Sequence, residues 1–176
     1  ELFIINDSNQ EDFKNFFQSA FGESIDSFFA LSTCNRTEVY IFRSSSSAMR
    51  IAQKTLEFFG CSESLNNDLY FFNGKEAIKH MCYVASGLDS QVLGEQEILG
   101  QFKKSIQTYI ELGSLKGEFQ RLTDDIISIA KAARTETQIG FNPLSVSGLS
   151  LKIVQEIFED PTQQKLTIVG AGQMAL

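Results

Sequence analysis

Apolar residues in the stretch 11–21, EDFKNFFQSAF, fall at Phe13, Phe16, Phe17, Ala20 and Phe21. That is the three-and-four spacing of a helix with one apolar stripe, and Gly22 supplies its stop. Two short apolar runs follow, FFAL at 28–31 and VYIF at 39–42, with the length and residue types of strands. The polar stretch STCNRTE, residues 32–38, lies between them. Residues 44–47 are all serine and break the pattern. Residues 48–59 return to helical spacing, with Ile51, Thr55, Leu56 and Phe59 on one side and Gly60 at the end. The run LYFF at 69–72 reads as a further strand, and Asn73-Gly74 as a turn.

Beyond residue 75 the period is 3.6 almost throughout. Helices are expected over 75–86, ending at Gly87, and over 95–112, where Ile98, Leu99, Phe102, Ile106, Tyr109 and Ile110 form the stripe. Two more are expected over 117–138, closed by Gly140, and over 145–159, ended by Asp160-Pro161. A β-branched strand at 165–169 then runs straight into Gly170-Ala171-Gly172-Gln173-Met174-Ala175. Strands come early and helices late, which predicts an α+β fold rather than an alternating parallel sheet. The expected architecture is a small antiparallel or mixed sheet with several helices, then a long connecting helix and the first strand of a truncated Rossmann domain. The divisions are 1–142 for the α+β domain, 143–161 for the connecting helix and 162–176 for the start of the dinucleotide domain. The chain opens on Glu1, so a preceding segment is expected to be missing.

Composition changes this picture in three places. There are 16 Phe and no Trp, so the core is expected to be built around phenylalanine. The three cysteines, Cys34, Cys61 and Cys82, are odd in number and far apart, which argues against a disulfide framework and for a reducing compartment. The net charge of -7 is concentrated early: residues 1–98 carry 14 Asp/Glu against 7 Lys/Arg. Such a chain does not bind nucleic acid by diffuse electrostatics, so recognition of an RNA-linked substrate has to be local or lie outside these residues. No apolar run approaches the length of a bilayer crossing.

Four features carry candidate chemistry. Cys34 has Arg36 two residues on, and a neighbouring guanidinium favours the thiolate, the nucleophilic form. A free cysteine also packs as a small hydrophobe, and from composition alone both readings stand for Cys34. Cys61 and Cys82 have no such neighbour. His80, the single histidine, flanks the stripe of its helix and is either packing or a general acid/base. No pair of cysteines has the short spacing of a zinc site. The stretch 86–95, SGLDSQVLGE, is dense in small and polar groups, and Glu97, Gln101, Lys104 and Thr108 continue it along one helix face. That face is either solvated or the wall of a polar pocket. Finally, Gly170-x-Gly172-x-x-Ala175 directly after a strand has the setting of a dinucleotide phosphate loop.

Taken together, LSTCNRTEVY at 31–40, ASGLDSQVLGEQEILGQ at 85–101, ARTETQIG at 133–140 and VGAGQM at 169–174 resemble glutamyl-tRNA reductase. The resemblance implies an enzyme that reduces glutamyl-tRNA to glutamate-1-semialdehyde with NADPH, through a thioester on Cys34. It assigns catalysis to Cys34 and His80. Thr33, Asn35, Arg36, Ser90, Glu95, Gln96, Glu97 and Gln101 become substrate-binding, with Arg36 the partner of a substrate carboxylate. Gly170, Ala171, Gly172, Gln173, Met174 and Ala175 become the NADPH loop. It further implies a homodimer, a possible aminomutase partner that takes the labile aldehyde, no membrane association, and a cytoplasmic or plastid-stromal location. Two departures make the pocket more acidic: Glu97 stands where the family usually has glutamine, and Tyr83 where arginine is common. The competing readings are a stand-alone cysteine acyl-transfer esterase and a non-catalytic regulatory paralogue of the same fold.

Overall fold

The computed structural model describes residues 3–61, 69–95, 97–137, 139, 146–158, 160–165 and 167. In chain order it contains helix α1 (Gln10–Phe21), strands β1 (Ile25–Ser32) and β2 (Thr37–Ser44), and helices α2 (Ala48–Phe58), α3 (Lys75–Ser86), α4 (Glu97–Glu111), α5 (Gly117–Glu136) and α6 (Val146–Ile157). The α+β expectation holds, and each expected helix lies within about two residues of its predicted bounds.

The two strands form an antiparallel hairpin, with Ile25 opposite Ser44 and Ser32 opposite Thr37. In β1 the residues of both faces are buried. Phe28 and Ala30 lie on one face, where the Phe17 ring of α1 sits 4.8 Å from Phe28. Phe29 and Leu31 lie on the other. There Phe29 stacks on Tyr40 at 4.7 Å and meets Phe102 of α4 and Phe119 of α5 at 5.7 and 5.6 Å. Each such aromatic pair adds about 0.5–1.5 kcal/mol beyond its burial. The phenylalanine core expected from composition is therefore the centre of the sheet.

An open strand edge leaves backbone groups unpaired, and α4 with the turn after it covers the edge of β1. Ser105 Oγ donates to the Ala30 carbonyl. The Phe28 N–H donates to the Ser114 carbonyl at 3.0 Å. Ser27 Oγ donates to that same carbonyl at 2.9 Å and accepts the Lys116 N–H at 3.0 Å.

The strand expected at 69–72 does not form. Residues 69–73 are coil, because the side chains there are committed elsewhere: Tyr70 bonds to Glu38 of β2, and Phe72 stacks on His80. The LYFF pattern is apolar enough for a strand, but it serves as a clasp between the sheet and α3. Most of the strand expected at 165–169, and all of Gly170 to Ala175, lie outside the described residues. Among the described residues, no helix is long and apolar enough to cross a membrane.

Candidate active site

The turn between β1 and β2 is built by hydroxyls instead of glycine or proline. The Thr33 N–H donates to the Arg36 carbonyl at 2.8 Å. Thr33 Oγ1 accepts the N–H groups of Asn35 and Arg36, both at 3.2 Å. Ser32 and Thr37 share a hydroxyl bond of 2.8 Å at the base of the turn. A threonine side chain that occupies local N–H groups in this way stabilises a turn without help from a positive φ. The result leaves Cys34 and Asn35 exposed at the tip. Cys34 is thus not a core cysteine. Desolvation pushes the half-buried Cys82 thiol up.

Arg36 turns back from the tip toward two carboxylates. Its Nη1 donates to Asp89 Oδ2 at 2.6 Å and to Glu38 Oε1 at 3.3 Å, and its Nη2 donates to the Asp89 carbonyl. Burial pulls the guanidinium down, but the bond to Asp89 and the charges of Glu38 and Asp89 outweigh it and raise its pKa. The positive charge expected beside Cys34 is therefore balanced by two negative ones. Glu97, the carboxylate that stands where the family usually has glutamine, is exposed in the first turn of α4. A carboxylate there suits the helix dipole.

Glu38 is a residue that the pattern along the chain did not single out. Its side chain is only 6% exposed. It accepts from Arg36, from the hydroxyls of Tyr40 and Tyr70, and pairs with His80 Nε2 at 2.9 Å. His80, in turn, lies with Phe72 stacked at 4.6 Å and the Tyr70 ring edge-on at 5.7 Å. Burial, and then the charge of Glu38, hold Tyr40 well above the usual phenol range. Burial and the bond to Glu38 raise Tyr70 likewise. The signal in the sequence was period two: positions 38, 40 and 42 share a face, and a carboxylate beside Tyr40 and Phe42 is a charge aimed inward.

The polar stretch 86–95 forms a loop that α5 holds in place. Arg134 donates to the carbonyls of Gly94 at 2.9 Å, Glu95 at 2.7 Å and Ser86 at 3.3 Å. The Gly94 N–H donates to the Gly87 carbonyl at 2.9 Å. Gly94 has φ +76, and a Cβ there would stand 2.1 Å from the Ile139 carbonyl oxygen, so only glycine fits. The loop presents Asp89 to Arg36 and leaves Ser90 half-buried beside it. Glu95 and Gln101 are half-buried too, while Gln96 lies outside the described residues. Tyr83 is exposed, with the Lys79 ammonium 5.6 Å from its ring centre. Three separate stretches, 31–40, 85–101 and 133–140, are thus tied to one another by Arg36, Asp89 and Arg134.

Beside this cluster, a groove of about 600 Å³ runs between β2, α2, the 69–73 coil and α3. Glu38, Tyr70 and His80 line it together with apolar side chains such as Ile41 and Leu56, whereas Cys34 stands outside its lining.

Residues 2–137 match the family model of the glutamyl-tRNAGlu reductase N-terminal domain. The chain belongs to that family. The glutamyl-tRNA reductase of Alcanivorax borkumensis is 42% identical over 145 residues, covering 82% of this chain and 34% of the relative. That of Ruthia magnifica subsp. Calyptogena magnifica is 36% identical over 157 residues, covering 86% and 37%. The solved glutamyl-tRNA reductase from Methanopyrus kandleri superposes with a TM-score of 0.62 at 29% identity, over 88% of this chain and 35% of that one. The chain spans about a third of the length of these relatives. Of the four stretches that carried the family resemblance, three, described except at residues 96, 138 and 140, are joined around Arg36 and Arg134. The fourth, at 169–174, lies outside the described residues.

Proposed function

We propose that the complete protein reduces glutamyl-tRNA to glutamate-1-semialdehyde, the first step of the five-carbon route to tetrapyrroles, with Cys34 as acyl acceptor and NADPH as reductant. The observation that carries this reading is an exposed thiol at the tip of a turn whose next residues, Arg36 and Glu38, bond into one cluster with Asp89 and His80.

In this reading the Cys34 thiolate adds to the carbonyl carbon of the glutamyl ester. The bond to the tRNA ribose oxygen breaks, that oxygen leaves with a proton, and a thioester remains on Sγ. Arg36 receives the substrate's side-chain carboxylate in place of Asp89, as a charge-assisted pair. Family resemblance alone makes Thr33, Asn35, Ser90, Glu95, Glu97 and Gln101 substrate-binding; Gln96, matched in the same way, lies outside the described residues. His80 handles the proton at the leaving oxygen. NADPH, when bound, supplies the hydride that turns the thioester into the aldehyde and frees the thiolate, and the residues matched to its loop, Gly170 to Ala175, lie outside the described residues. Family resemblance alone supports the homodimer, the aminomutase partner and the cytoplasmic or stromal setting.

The test is NADPH consumption by the complete protein given glutamyl-tRNA. Cys34→Ser is expected to abolish it, and undiminished turnover in that variant removes the nucleophile assignment. The 176-residue chain alone is expected to do no more than slowly deacylate glutamyl-tRNA. NADPH-dependent aldehyde from that chain alone contradicts the division of labour. His80→Asn is expected to lower kcat; lost stability with a normal kcat returns His80 to packing.

A further inference from the structure

A carboxylate near the start of a strand, buried and facing aromatic rings, is strongly disfavoured unless its charge is matched and its lone pairs are filled. Glu38 meets both conditions. Arg36 supplies the charge, and Arg36, Tyr40, Tyr70 and His80 supply donors from the turn, the strand, the 69–73 coil and α3. Arg36 already has a complete alternative in Asp89, and a phenol at Tyr40 is unnecessary for stacking on Phe29. The arrangement is thus larger than the fold requires.

Resting on the reading of the site given above, we propose that Glu38 is a positioning residue for the reaction, acting through His80. An ionised carboxylate only accepts. The 2.9 Å contact with Glu38 therefore keeps a proton on Nε2 of His80, and Nδ1 is the ring nitrogen left to take and return a proton. The rings of Phe72 and Tyr70 fix the plane of the imidazole while Glu38 fixes its rotation within that plane. The charged and titratable groups facing Glu38 are Arg36, Tyr40, Tyr70 and His80, and Asp89 faces it through Arg36. Tyr70 belongs to the same device: its hydroxyl ties the coil that carries Phe72 to the carboxylate that holds His80. This is the arrangement in which a second group sets the tautomer of a working histidine.

His80 is the single histidine of the 176-residue chain, so its imidazole nitrogens give one isolated pair of signals in a ¹⁵N–¹H spectrum. The wild-type chain is expected to show a slowly exchanging Nε2 proton at neutral pH. Glu38→Gln keeps the volume but removes the charge and leaves one oxygen for four donors. In that variant the Nε2 proton is expected to exchange fast enough to disappear. In the complete protein, kcat with glutamyl-tRNA is expected to fall about tenfold or more, beyond any change in KM. A persistent protected Nε2 proton in Glu38→Gln overturns the proposal, and so does a kcat within twofold of wild type once that proton is lost. Wild-type protein that shows the protected proton but never consumes NADPH overturns the proposed function, and the positioning role with it. Should Glu38→Gln not fold, Tyr70→Phe decides, since Tyr70 sits on exposed coil. It is expected to speed exchange of the Nε2 proton and lower kcat about threefold. No change in either sinks the idea.

Discussion

β1 and β2 are eight residues each and are paired along their length, yet they are buried very differently. β1 is covered on both faces and along its free edge. In β2 only Glu38 and Tyr40 are buried, and its outer side opens on the groove. One strand is held by apolar contact and by backbone bonds to α4. The other is held at its inner face by a charge and its donors. The difference teaches that within one hairpin apolar packing and buried polar bonding fall to different strands, with the turn that carries Cys34 as their junction.

This division can be broken from either side. Phe29→Ala, at the centre of β1, is expected to destabilise the chain by about 3–5 kcal/mol, measured by denaturant unfolding. A loss below 1 kcal/mol shows that β1 is not the anchor. On the polar side, Arg134→Met removes the donor for three backbone carbonyls of the 86–95 loop and is expected to cost about 2–3 kcal/mol. It is also expected to loosen Asp89 from Arg36, which hydrogen exchange of the loop amides reads directly. Tyr40 and Tyr70 keep their protons in the folded chain above pH 10, the ordinary value at which unfolded tyrosines release theirs. Their contribution is therefore complete below pH 10, and stability falls as pH rises beyond it. The double variant Tyr40→Phe, Tyr70→Phe is expected to flatten that slope; an unaltered slope places the alkaline loss elsewhere. The smallest effect belongs to the apolar side. The Tyr109 hydroxyl is buried with no partner among the described residues. Tyr109→Phe is expected to be neutral or to stabilise by up to about 1 kcal/mol, and a clear loss in thermal midpoint contradicts that.

Much of this was legible because period and punctuation agreed. Lys75–Ser86 was bounded by Asn73-Gly74 and Gly87, and the helix has those limits. Phe28 to Leu31 and Val39 to Phe42 read as strands because nothing local competed. Residues 69–72 misled because strand pattern reports apolar, extended chain, not a neighbour to pair with. The reach of Tyr70 to Glu38 across 32 residues is a tertiary fact. The first family motif pointed to Cys34 and Arg36, and the family resemblance outside the motifs pointed to His80, whereas Glu38 was a letter inside the first motif. Its importance lies in partners that a linear reading keeps 42 residues away. Arg134 escaped for the same reason, since a basic residue in a last helical turn ordinarily needs no further account.

That separation has a consequence for the order in which the molecule is made. Pairing of β1 with β2 is local and is available on the microsecond scale once both strands have emerged. His80 follows Glu38 by 42 residues, a lag of about 2–8 s at ordinary rates of synthesis. Through that interval the nascent hairpin displays a hydrated carboxylate on the face that will later be covered, much as edge charges keep exposed sheets from pairing with the wrong neighbour. Among the described residues, the one charged side chain that the folded chain buries thus stays in water until α3 has been made.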